Sequence, residues 1–165
     1  IISKIHEVDS HKPWIWNDNT MFSGKRVKVS VPFVRKSLKP YTVVGCLSKE
    51  ESFIQRQNIR NSLANSSIGK DILVWFIVGA PMNSDIIKES GEYNDILFMN
   101  IPEVYEPGIN MSPIKVHGFM KIAGRYFPET KYFMKINENT FVLFDELFEY
   151  INNSSNSFSG KEMFG

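Results

Sequence analysis

Apolar and polar residues repeat at two different periods along this chain, and the switches between them mark its elements. Lys25-Arg-Val-Lys-Val-Ser-Val31 alternates polar with apolar residues, as a half-exposed strand does. Unbroken apolar runs at residues 41–47, after Pro40, and 72–78, closed by Gly79-Ala80-Pro81, predict two buried strands. Residues 95–99 and 132–136 predict two more. Between these runs the period lengthens. Ser48-Lys-Glu-Glu51 has capping-box spacing, with Ser48 capping backbone N–H groups and Glu51 reaching back. It opens a helix carrying Phe53, Ile54, Ile59 and Leu63 that ends near Asn65. Asn83 or Ser84 caps a short helix that runs through Glu89 and is ended by Gly91. Ser112-Pro113 gives an N-cap and a first-turn proline for a helix reaching about Phe127, before Pro128. Residues 144–151 form the last helix. Strands alternating with helices predict βαβ units, a mainly parallel sheet and an α/β three-layer sandwich.

Residues 1–24 have no clear period and read as irregular lead-in, with Trp14 and Trp16 packing onto the domain and His6 and His11 on the surface. Glu106-Pro107-Gly108 is a turn, and residues 152–160 are a loose polar stretch. The expected organisation is a lead-in over 1–40, with an edge strand in it, and one domain over 41–165.

Composition narrows the choice of function. A formal net charge of +1 over 165 residues carries no signature of nucleic-acid or membrane-surface binding. Cys46 is the only cysteine, which excludes an internal disulfide and any zinc site built on several thiolates. The chain starts at Ile1 and has no long apolar run, so it is read as a fragment whose only membrane attachment would lie in a segment not present. Asn-x-Ser sequons at Asn65, Asn110, Asn152 and Asn153 are compatible with the secretory pathway.

Chemistry is expected where residues 132–136 give way to Asn137-Glu138-Asn139. A buried strand that ends in small polar residues delivers them to the crevice of an open α/β sheet. The junction at Gly45–Glu51 lacks the glycines of a P-loop or a dinucleotide fingerprint, and no Gly-x-Ser-x-Gly elbow occurs. His117, inside a helix, reads as structural. Arg56 and Arg60, four apart, share one helix face and are either a solvated, salt-bridged face or a pair aimed at a diphosphate.

Several of these segments, in order, resemble the β-1,3-galactosyltransferase family (glycosyltransferase family 31). Arg56-Gln-Asn-Ile59-Arg60-Asn-Ser-Leu63 is similar to its Arg-x-x-Ile-Arg-x-Thr-Trp, and Trp75-Phe-Ile-Val-Gly79 to its Phe-Leu-Leu-Gly. Glu89-Ser-Gly-Glu-Tyr93-Asn-Asp95-Ile-Leu97 resembles Glu-x-x-x-Tyr-x-Asp-Ile-Ile, and Asn110-Met-Ser-Pro-Ile-Lys115 resembles a stretched Asn-Leu-Thr-x-Lys. Lys135-Ile-Asn137-Glu138-Asn139-Thr-Phe141-Val142 falls where the family has Lys-x-Asp-Asp-Asp-x-Phe-Val. The resemblance implies a GT-A fold with a Rossmann-like, mainly parallel sheet in its donor half, a UDP-sugar donor, a glycan acceptor and Mn²⁺ bridging the diphosphate. It also implies a Golgi membrane location with the domain in the lumen. On it, Arg56, Arg60, Glu89, Asp95 and Lys115 are nucleotide-binding, and Asn137, Glu138 and Asn139 hold the metal position.

The departures carry information too. Amides at Asn137 and Asn139 replace acids, so the triplet keeps one carboxylate and its cation affinity should fall. Asn100-Ile-Pro-Glu103-Val-Tyr105 replaces Asp-Phe-x-Asp-x-Tyr, and the later Glu-Asp-Val block has no counterpart here. Two other functions stand beside hexosyl transfer: a catalytically inactive galactosyltransferase-like binding module, and an unrelated α/β nucleotide-binding domain.

Overall fold

The computed structural model describes residues 17–22, 24–80, 82–102 and 112–154. The predicted features at His6, His11, Trp14, Trp16, Glu103, Tyr105, Glu106-Pro107-Gly108 and Asn110 lie outside them. In chain order the elements are β1 (Asp18–Phe22), β2 (Lys25–Ser30), β3 (Thr42–Leu47), α1 (Phe53–Ala64), β4 (Ile72–Ala80) and α2 (Ser84–Tyr93). They continue with β5 (Ile96–Pro102), α3 (Ser112–Tyr126), β6 (Tyr132–Asn137) and α4 (Phe144–Ser154). A single sheet has the order β1-β2-β5-β4-β3-β6. Strands β3 to β6 are mutually parallel, and the β1–β2 hairpin joins antiparallel along β5.

This order explains the layers. The chain steps from β3 through β4 to β5 in one direction, then crosses back to place β6 on the far side of β3. Crossovers keep one hand, so reversing direction sends the connecting helix to the opposite face. Accordingly α1 and α2 cover one face and α3 the other. Strand residues divide between the faces with period two. Val43, Trp75, Ile77, Leu97 and Met99 pack against Phe119, Ile122 and Ala123 of α3. Val44, Cys46, Val74, Phe76, Val78, Phe98 and Ile136 pack against Ile59, Ile86 and the Phe144 of α4. Helix α3 lies very close to β3: a Cβ on Gly45 would stand 2.6 Å from the Phe119 ring.

Four local expectations are corrected. Asp18–Phe22 is a strand rather than irregular lead-in, fully paired along β2 from Asp18↔Val29 to Phe22↔Lys25. Its polar residues hid it, because an edge strand needs little apolar surface. Ser48 does not cap α1: the N-cap is Ser52, without a side-chain bond, and the Ser48 hydroxyl is engaged elsewhere. Gly91 lies inside α2, which instead ends at Asn94 in the left-handed conformation (φ 52°), and Asn tolerates that conformation. Helix α4 continues through Asn152 and Asn153 to Ser154, into the stretch expected to be loose.

Helix α1 also faces inward differently from its apolar pattern. Phe53 and Ile54 are exposed, while Arg56 is fully buried beside Ile59. The inward stripe is Arg56-Ile59-Arg60-Leu63, at helical spacing. Two of its four places belong to arginines, and each needs a buried partner.

Candidate functional site

The reversal of strand order falls between β3 and β6, and open α/β sheets bind ligands at the carboxyl ends of such a pair. Register sets Leu47 opposite Asn137, so the next residues, Ser48-Lys49 and Glu138-Asn139, meet above the sheet. The Glu138 amide donates to the Leu47 carbonyl (3.0 Å). Its carboxylate Oε2 then accepts from the Ser48 hydroxyl (2.8 Å) and the Lys49 N–H (2.9 Å). The two strand ends are clasped through one acidic side chain.

Beneath the clasp lies a buried ionic network. Arg56 donates to the Ser48 hydroxyl oxygen (2.9 Å) and to the Lys49 and Glu50 carbonyls. It also forms a two-pronged pair with Glu89 (Nε to Oε1, 2.8 Å; Nη2 to Oε2). A guanidinium has five donors, and all five are spent here. Glu89 bridges onward to Arg60 Nη2 (2.7 Å), and Arg60 forms a second fork with Asp95 (2.8 Å twice). The Arg60 plane lies over Tyr93, 4.0 Å from its centroid, with Phe76 also within cation–π reach at 4.9 Å. Burial works against the Arg60 charge, yet its bonds to Asp95 and Glu89 prevail and raise its pKa. Glu50 extends the assembly to α2 by accepting from the Asn83 N–H.

Four of the five residues expected at a nucleotide therefore meet in one place: Arg56, Arg60, Glu89 and Asp95. Arg56 has no donor left for a ligand and reaches the crevice through Ser48. Lys115 stands apart, buried on α3 across the sheet from the others. Asn137 and Asn139 are exposed in the turn, where the Thr140 N–H donates back to the Asn137 carbonyl (2.9 Å). Cys46, one residue before the crevice on β3, is a protonated thiol, because burial and then Glu138 push its pKa up to about 12.

The donor set of the turn does not fit a divalent cation. Such ions take several oxygens with carboxylate charge among them. Here one oxygen of the sole carboxylate already accepts two bonds, and the flanking side chains are neutral amides. Among the described residues no three His, Cys, Asp or Glu side chains come together in metal-holding geometry.

The sequence did not single out Ser48, Lys49 and Glu50 as parts of this site. Ser48 and Glu138 are separated by 90 positions, and no local pattern announces the bond between them. Nor did it mark the cleft of about 730 Å³ that runs from Glu138 and Asn139 down the flank of α1. The one readable trace of that cleft is the row of Gln55, Asn58, Asn61 and Asn65 at helical spacing.

Among known proteins, the model of a family described as galactosyltransferase matches residues 54–165. A search of curated proteins found no match.

Proposed function

The chain belongs to the galactosyltransferase family, the β-1,3-galactosyltransferases, and from that premise we propose that it transfers a hexose from a UDP-sugar to a hydroxyl of a glycan. Galactose and N-acetylglucosamine are the sugars that the family resemblance suggests. The reading rests chiefly on the continuous bonded path from the Glu138 turn through Ser48 to the Arg56–Glu89–Arg60–Asp95 network. It lies at the switch point between β3 and β6, where such a sheet takes a nucleotide. We assign Arg56, Arg60, Glu89 and Asp95 a positioning role: they fix the first turn of α1 and the end of β3 against each other. The diphosphate would then lie over Ser48, Lys49 and the Asn137-Glu138-Asn139 turn. In the transfer, the acceptor oxygen attacks the anomeric carbon, the bond from that carbon to the diphosphate oxygen breaks, and the acceptor proton leaves to a base. For the location we propose the Golgi lumen. No helix among the described residues is long and apolar enough to cross a membrane.

One observation favours a second reading, a module that binds the nucleotide without turning it over. The turn offers a single, already engaged carboxylate where the family resemblance places a metal-binding triplet. Calorimetric titration of UDP with and without Mn²⁺ separates the two, on the natural chain and on Asn137→Asp/Asn139→Asp. UDP binding by the natural chain that EDTA leaves unchanged, with binding strengthened by Mn²⁺ only in the double variant, supports the second reading. UDP binding in neither protein, with the fold intact, sinks the donor-site reading. Strict Mn²⁺ dependence in the natural chain removes the ground for the second reading.

A further inference from the structure

The cleft beside α1 meets the crevice proposed for the nucleotide only at the Glu138-Asn139 turn, and the rest of its lining has a different chemistry. One wall is the outer flank of α1, where Gln55, Asn58, Asn61 and Asn65 line the space. Their side-chain amides make no hydrogen bond to the other described residues. The opposite wall is the segment from the turn into α4, and it presents Phe141 at 81% exposure and Leu143 at 49%. An aromatic ring this open beside a row of solvent-exposed amides suits a ligand with two kinds of surface. One must be apolar and flat, the other rich in uncharged donors and acceptors.

Charge narrows the partner further. Among the described residues no Lys, Arg or His lines the cleft, whereas Glu138, at its crevice end, and Asp145 and Glu146 do. Asp145 is held ionised by the Ser67 hydroxyl, the largest cause of its lowered pKa. An anionic ligand is repelled along this surface. Length is informative too: the α1 flank from Gln55 to Ala64 is about 14 Å long at helical rise, more than one sugar ring needs. We propose that the cleft is a subsite for a neutral oligosaccharide. Its pyranose C–H faces would lie on Phe141 and its hydroxyl edges would bond the amides of Asn58 and Asn61. One end of the cleft is the Glu138-Asn139 turn. A saccharide in the cleft thus has its terminus at the crevice where the donor is proposed. Its status as the acceptor rests on that proposal, while the saccharide site itself does not.

The test uses the whole chain on an array of neutral and sialylated oligosaccharides. The best neutral binder is then titrated by saturation-transfer NMR against the natural protein, Phe141→Ala and Asn58→Ala/Asn61→Ala. All three positions are exposed, so thermal melts of the variants should match the natural protein. We expect a neutral glycan to bind, with its ring C–H protons receiving saturation, and affinity to fall at least about tenfold in each variant. Three results would overturn the proposal: no neutral glycan bound, sialylated glycans bound equally well, or affinity unchanged in the variants. UDP titrated in parallel keeps the two readings apart. Glycan bound without UDP upholds the cleft and removes the donor, and UDP bound without glycan does the reverse.

Discussion

Arg56 has no exposed side-chain surface and Glu89 has 3%, so each charge depends on the other. A buried ion pair adds little over apolar packing, but removing one member strands the second charge in a medium that cannot solvate it. Glu89→Gln should therefore cost about 3–5 kcal/mol of unfolding free energy. It would also release Arg60 from one of its two carboxylates. Urea denaturation measures this, and a loss below about 1 kcal/mol would show the network to be dispensable. Part of this was legible in the sequence. Spacing put Arg56 and Arg60 on one helix face, and the salt-bridged alternative weighed for them describes their surroundings. What spacing could not tell is that the face points inward, because an arginine at a core position looks like a surface residue until its carboxylates are known. Those carboxylates lie 33 and 35 positions away.

At the scale of elements, the contact between α3 and β3 decides how closely one layer approaches the next. The Phe119 ring occupies the space that any side chain at position 45 would need. Phe119 is itself completely buried, so it has little room to withdraw. Gly45→Ala should cost about 1–3 kcal/mol through overpacking. Combined with Phe119→Leu, it should cost less than the sum of the two single changes, since the smaller side chain clears the collision. Thermal unfolding of the four proteins in the cycle tests this, and strict additivity would refute it. Elements with a strong apolar signal were read to within a few residues, as at β3, β4 and β6. Those set by tertiary contact were not. Edge strand β1 is stabilised by its ladder to β2 rather than by its own composition. The start of α1 moved to Ser52 because the Ser48 hydroxyl bonds across the sheet to Glu138.

At the scale of the molecule, the family match and the physical unit have different boundaries. The match begins at residue 54, inside α1, and omits β1, β2 and β3. Yet β3 is the strand between β4 and β6, paired residue for residue with both from Thr42 to Leu47. Deleting it leaves β6 without a neighbour in the sheet, opens Val43, Val44 and Cys46 out of both cores, and removes Ser48, Lys49 and Glu50 from around Arg56. A fragment of residues 54–165 should therefore show no cooperative thermal transition. A fragment from residue 41 loses the β1–β2 hairpin and the segment from Val31 to Pro40, with its Phe33–Asn94 bonds, and exposes the edge of β5. It should still melt cooperatively, at a lower temperature than the whole chain, because β3 through β6 and both faces of the sheet remain. Circular dichroism melts of the three proteins decide the matter. A cooperative transition in the 54–165 fragment would mean that β3 is not the strand on which the two halves of the sheet depend.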